Sequence, residues 1–169
     1  MFERWHDFYI LVGSGAGALI GLLFIVVTLT SNRDRDQALR AAARYMTPTV
    51  VEFSAVLLIG AVAAAPLGDA VQCELLVAMG LVLLAWASVN AWRMFFQPIG
   101  EIPAHWTDRW AYGAVPAAAY LALTVAAGMR SPLATGVVAV TLLMCGIRNA
   151  WDLITWIAPR GAPPTPPPE

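Results

Sequence analysis

Five apolar stretches dominate this sequence, and each is long enough to cross a membrane as a helix. They run from about 8 to 30, 48 to 67, 71 to 96, 110 to 128 and 133 to 157. A helix rises about 1.5 Å per residue, so about 20 residues cross the roughly 30 Å of hydrocarbon. Helices satisfy every backbone polar group internally, as lipid requires. We therefore predict an all-α membrane protein, a bundle of about five transmembrane helices.

The composition argues against a water-soluble fold. Of the 169 residues, 59% are apolar and only 12% are charged, whereas soluble domains average about 45–50% apolar and about 25% charged. Residues 1–160 are therefore predicted to form one transmembrane domain. The proline-rich tail at 161–169 is expected to be disordered. The formal net charge of −1 gives no electrostatic basis for binding nucleic acid.

The arginines predict an orientation in the membrane. Four of them lie between the first two stretches: Arg33, Arg35, Arg40 and Arg44. The positive-inside rule then places this loop in the cytoplasm, with the N-terminus outside and the C-terminus in the cytoplasm. The expected location is a bacterial inner membrane.

Three glycines recur every four residues in the first stretch: Gly13, Gly17 and Gly21. This spacing gives one helix face without side chains, on which another helix can pack closely. One interpretation is a glycine zipper through which copies of the protein associate. The other is packing against another span of the same chain.

The fifth stretch carries a polar stripe, which we define as Thr141, Cys145, Arg148, Asp152 and Thr155. Their alternating spacing of four and three places them on one helix face, which we expect to turn away from lipid. A charge near the middle of a span costs at least about 2.5–3.5 kcal/mol unless it is paired or reaches the interface. Asp152, one turn beyond Arg148, is suited to pair with it.

Other polar residues are predicted at a similar depth on the cytoplasmic side. Together they form a predicted polar layer: Glu52, Asn90, Arg93, Arg148, Asn149 and Asp152. One interpretation of this layer is a gate, filter or ion path. The other is a hydrogen-bonded lock, with balanced charges, that holds the helices in register.

No set of residues predicts catalysis or a bound cofactor. The only histidines, His6 and His105, are predicted on opposite sides of the membrane, which argues against a bis-histidine haem. Ser14, Ser54 and Ser88 have no histidine near their predicted depths, so no nucleophilic triad can be proposed. Cys73 and Cys145 are predicted at different depths, which argues against a disulfide or a metal site. We expect no enzymatic activity, no cofactor and no metal.

The N-terminal segment of the domain resembles a known family. The segment Trp5-His-Asp-Phe-Tyr9 and the following run from Gly13 to Thr28 are similar to those of small bacterial multi-pass membrane proteins. Some members carry the label of modulators of the membrane protease FtsH. The resemblance covers residues 5–30. It implies a multi-helix inner-membrane protein with no established catalytic residue.

Two functional hypotheses follow. The first is a non-enzymatic, self-associating membrane protein, a small homo-oligomeric ion or solute channel or transporter lined partly by the fifth span. It rests on the glycine face and the polar stripe. The second is a regulatory or accessory subunit of another membrane complex, such as a membrane protease. In that case the arginine-rich loop and the proline-rich tail would bind the membrane-protein partner.

Overall fold

A computed structural model describes residues 1–30, 47–96 and 109–157. Within these ranges a 3-10 turn at Phe2–Trp5 is followed by five α-helices, in the order α1 His6–Thr30, α2 Thr47–Ala64, α3 Asp69–Phe96, α4 Val115–Gly128 and α5 Pro132–Ile157. Throughout these three ranges no strand occurs. Five helical segments, with α4 extended by the turn before it, are long and apolar enough to cross a membrane. The predicted all-helical class is therefore confirmed, as is the presence of five helices suited to crossing a membrane. The predicted disordered tail lies outside the described residues.

The helices run up and down, which gives the bundle two ends. The first end holds the start of α1 and the two short turns that join α2 to α3 and α4 to α5. There the N-terminal amine of Met1 lies 2.7 Å from a carboxylate oxygen of Asp69, and the Tyr9 hydroxyl donates to the Pro132 carbonyl at 2.6 Å. The second end holds the C-terminus of α5, with the start of α2 and the end of α3.

Gln72 closes the turn between α2 and α3. Its side-chain nitrogen donates to the carbonyl oxygens of Val62, Ala63 and Ala65 at 3.2, 3.1 and 2.9 Å. The last carbonyls of a helix have no partner within the helix. A single amide from the next helix therefore supplies the donor that α2 lacks at its end.

Arg130 closes the turn between α4 and α5 in a left-handed conformation, with φ of 52°. Its backbone nitrogen donates to Ala127 O, and that of Ser131 donates to Ala126 O. This pair of bonds is the Schellman arrangement that commonly ends a helix, usually with glycine at the left-handed position. Pro132 then begins α5.

A π-helical turn at Trp110–Ala114 leads into α4. Pro116 lies just inside α4, where it has no backbone N–H to donate to a carbonyl one turn earlier. A wider turn accommodates this local loss. The helix then continues through Pro116 to Gly128.

The packing pairs α1 with α2 and α3 with α4, and α5 contacts α2, α4 and α1. Gly13 and Gly60 allow α1 and α2 to approach closely. A Cβ added at Gly60 would lie 2.7 Å from Tyr9 O and 2.9 Å from Gly13 Cα. The face that α5 turns inward carries Thr135, Ala139, Leu142, Gly146, Asn149 and Leu153, all buried. This buried seam places one amide side chain, that of Asn149, inside the bundle.

Candidate functional site

Glu52 is a fully buried carboxylate on α2, with 0% of its surface exposed. The side-chain nitrogen of Asn149, on α5, lies 3.2 Å from Oε1 and 3.1 Å from Oε2. A carboxylate has about four lone-pair sites, so this one nitrogen leaves much of its hydrogen-bonding capacity unused. Within the described ranges, no cationic group lies within ion-pair distance of Glu52.

Asn149 connects Glu52 to charged groups at the surface of α5. Its Oδ1 accepts a hydrogen bond from the Arg148 guanidinium at 3.1 Å. Arg148 in turn forms an ion pair with Asp152, one turn further along, at 3.1 Å. The side chains of Arg148 and Asp152 are 47% and 42% exposed. We call these four residues the polar network; it runs from the buried centre of the bundle to its outer surface.

Two tyrosines bring α4 and the π-helical turn to the same region. The Tyr112 hydroxyl donates to the backbone carbonyl of Asn149 at 3.1 Å. The Tyr120 hydroxyl is buried and forms no hydrogen bond with any described residue. Glu52 is close enough to act electrostatically on Tyr120 and on the free thiol of Cys145. Three separate segments of the chain, α2, α5 and α4 with the turn before it, therefore meet around this carboxylate.

The structure brings together four of the six residues of the predicted layer: Glu52, Arg148, Asn149 and Asp152. Asn90 and Arg93, both on α3, form no hydrogen bond or ion pair with these four among the described contacts. The side-chain nitrogen of Asn90 is buried without a partner among the described residues, and Arg93 is exposed. The physical reason is that α3 packs mainly on α4. Residues at the same depth on α2 and α3 therefore do not share a face.

The polar stripe of α5 does not face the interior of the chain. Thr141, Arg148 and Thr155 are exposed, whereas Cys145 and Asp152 are half-buried. Each of the first four stripe residues is followed by a buried residue of the α5 seam: Leu142, Gly146, Asn149 and Leu153. Because one residue turns a helix by about 100°, the stripe lies beside the seam and not on it. The expectation that the stripe turns inward is therefore wrong for the single chain. The adjacent seam has the same alternating spacing of four and three, so the spacing alone does not identify which of the two faces is buried.

The glycine face of α1 is largely occupied by α2 of the same chain. A Cβ at Gly13 would lie 3.3 Å from Gly60 Cα, and one at Gly17 would lie 3.7 Å from a methyl carbon of Leu57. Nothing lies within 4 Å of a Cβ built at Gly21. Of the two interpretations of this face, packing within the chain describes Gly13 and Gly17.

Three contributors to this region are not singled out by the sequence reasoning: Tyr112, Tyr120 and Gly146. The two tyrosine hydroxyls are polar groups within an apolar stretch, and this is their only sequence signal. Gly146 gives Phe53 room beside Glu52, since a Cβ there would lie 2.6 Å from the Phe53 ring. A lone glycine in a helix gives no indication of which ring it accommodates.

The described residues contain no group of three or more histidine, cysteine, aspartate or glutamate side chains able to hold a metal ion. No known protein family, curated protein or solved structure matches the chain. The functional assignment therefore depends on the polar network and on the surface it reaches.

Proposed function

We propose that this chain is a non-enzymatic, self-associating protein of the bacterial inner membrane, of the channel or transporter class. The supporting observation is the outward position of the Arg148–Asp152 ion pair on α5. In the proposed orientation the N-terminus is outside and the C-terminus is cytoplasmic, as the arginine distribution favours.

The depth of this ion pair gives the physical reason. Arg148 lies about 14 Å along the helix axis from the end of α5, at about 1.5 Å per residue. An arginine at the centre of a span costs at least about 2.5–3.5 kcal/mol in lipid. Asp152 offsets part of this cost, but both side chains remain nearly half exposed. A second copy packed on this surface would replace acyl chains with polar neighbours.

Two other residues of the stripe also suit this surface to contact with a second copy. Thr141 and Thr155 are exposed on either side of the ion pair, and their hydroxyls donate to Val137 O at 2.9 Å and Asp152 O at 3.0 Å. Each hydroxyl oxygen keeps lone pairs that can accept bonds from a neighbouring helix. In a closed ring of copies, these stripes form a continuous polar seam, which we propose as the ion or solute path.

Ion flux into proteoliposomes tests the transport proposal. The informative variant is Asp152→Asn, which removes one charge from the stripe while keeping the shape of the side chain. The matched control is Glu74→Gln, which removes one charge from an exposed residue near the first end. We expect flux by the wild type and by Glu74→Gln, and reduced flux by Asp152→Asn. Absence of wild-type flux, or equal flux by all three, would contradict the proposal.

The accessory-subunit hypothesis assigns partner binding to the arginine-rich loop and the proline-rich tail, which lie outside the described residues. In that case we propose that a helix of the partner, rather than a second copy, covers the exposed stripe. Gentle detergent extraction followed by native mass spectrometry distinguishes the self-association hypothesis from the accessory-subunit hypothesis. Homo-oligomers favour self-association. A one-to-one complex with a second protein, together with a monomeric purified chain, favours the accessory role.

A further inference from the structure

The charges of the polar network do not balance. It contains two carboxylates, Glu52 and Asp152, but only one guanidinium, that of Arg148. Arg93, which would supply the second positive charge of the predicted layer, is exposed and forms no ion pair with any described residue. With both carboxylates ionised, the network therefore carries one excess negative charge. An uncompensated charge in an apolar interior is strongly unfavourable.

We propose that Glu52 reversibly binds one proton inside the bundle, and that Asn149 couples this proton to the Arg148–Asp152 ion pair. Carboxylates within membrane spans commonly serve as proton-binding groups. The inference does not depend on self-association, because every contact involved lies within one chain.

Geometry assigns the proton to Glu52 rather than to Asp152. Asp152 is partly exposed and lies 3.1 Å from the Arg148 guanidinium, which stabilises its charged form. Glu52 has no exposed surface and, among the described residues, receives hydrogen bonds from one nitrogen. Binding of a proton neutralises Glu52 and leaves one positive and one negative charge in the network.

The same geometry favours a proton over a metal cation. A bound metal ion needs several oxygen ligands around it. Here the Asn149 side chain turns its N–H group toward Glu52, and its oxygen is engaged by Arg148. The positive end of an amide dipole beside the carboxylate opposes a metal cation, whereas a proton needs one carboxylate oxygen and no further ligands.

The groups around Glu52 come from defined elements. From α5, Asn149 and Arg148 act on it, and Glu52 acts on Cys145 of α5 and on Tyr120 of α4. Among the described residues, α1 and α3 contribute no group that acts on Glu52. A protonated carboxyl has an O–H donor, and the buried Tyr120 hydroxyl has unused hydrogen-bonding capacity in the same interior.

The coupling follows from the two ends of the Asn149 amide. With Glu52 ionised, the amide nitrogen is held by the carboxylate while the amide oxygen binds Arg148. Protonation replaces this charge-assisted bond with a weaker neutral one. The amide is then held less firmly, and the attraction between Arg148 and Asp152 becomes the main interaction of the guanidinium.

Infrared difference spectroscopy of the full chain in lipid nanodiscs, one copy per disc, tests the proposal during a pH titration. The readout is the carbonyl stretch of a protonated carboxyl, which the ionised form lacks. We expect a band at neutral pH in the wild type, its loss in Glu52→Gln and its retention in Glu74→Gln. As the pH is raised, the band should disappear at a lower pH in Asp152→Asn than in the wild type, because removing a negative charge makes ionisation of Glu52 easier.

Two results would overturn the proposal. One is the absence of any Glu52-dependent carboxyl band in wild type between about pH 5 and pH 9, a range above the ordinary glutamate value. The other is loss of the band on adding Na⁺ at constant pH, which would identify a metal-ion site. Glu52→Asp keeps a carboxyl and should keep a band, which controls for misfolding of Glu52→Gln. Because the discs hold single copies, a failure of self-association leaves these results unaffected.

Discussion

The side-chain nitrogen of Asn149 lies 3.1 and 3.2 Å from the two carboxylate oxygens of Glu52, and so joins residues 97 positions apart in the chain. Neither residue has exposed surface. This contact ties α2 to α5 in the interior, and through Arg148 it extends to the outer surface of α5. It thereby links the interior carboxylate to the surface on which we propose that copies of the protein associate.

Replacing Asn149 with leucine should destabilise the bundle. The substitution removes the described hydrogen-bond donor of Glu52, and leaving a buried polar group unsatisfied costs about 1–3 kcal/mol. Asn90→Leu is the matched control, because the side-chain nitrogen of Asn90 has no partner among the described residues. Reversible unfolding in mixed micelles measures both free energies. Equal effects of the two variants would contradict the assigned role of Asn149.

Replacing Gly60 with alanine should separate α1 from α2. The added methyl group would lie 2.7 Å from Tyr9 O and 2.9 Å from Gly13 Cα, both backbone atoms. Forcing atoms into a packed core typically costs about 1–3 kcal/mol. Gly21→Ala is the control, since nothing lies within 4 Å of its Cβ position, and alanine there should be neutral or stabilising. Thermal unfolding in detergent compares the two, and a stable Gly60→Ala variant would refute the close crossing.

Two substitutions of Arg130 isolate its left-handed backbone. Arg130→Ala and Arg130→Gly both remove the guanidinium, but only glycine adopts φ of 52° without cost. We expect the glycine variant to be more stable than the alanine variant by about 1 kcal/mol, the approximate penalty for a side chain in this conformation. Chemical unfolding of the two proteins gives this difference directly. Equal stability would contradict the Schellman turn between α4 and α5.

The helices could be predicted closely from the sequence because lipid imposes a simple rule on apolar length. The expected stretch of about 133 to 157 appears as α5, Pro132–Ile157. The second stretch is predicted to end near residue 67, whereas α2 ends three residues earlier, at Ala64. Pro66 cannot donate a backbone hydrogen bond, and Gln72 supplies the donor that ends α2.

The candidate site could be predicted only in part, because depth along a helix follows from the sequence but the facing direction does not. Depth and charge predict that Glu52, Asn149 and Arg148 lie together, as the structure has them. Arg93 meets the same criteria, yet it is exposed and forms no ion pair with any described residue. The partner of each helix depends on close crossings such as that of Gly13 with Gly60, and no local pattern identifies such pairs.

Disulfide cross-linking between copies in native membranes tests the central claim, that the polar stripe of α5 is covered by a second copy. Cys73 and Cys145 are first replaced by serine, and a single cysteine is then introduced at Thr141, on the stripe, or at Ala78, an exposed residue of α3. Both positions lie about 14 Å from the start of their helices, so depth is matched. We expect an oxidised dimer with Thr141→Cys and none with Ala78→Cys. A Thr141→Cys protein that remains monomeric, or equal cross-linking at both positions, would contradict it.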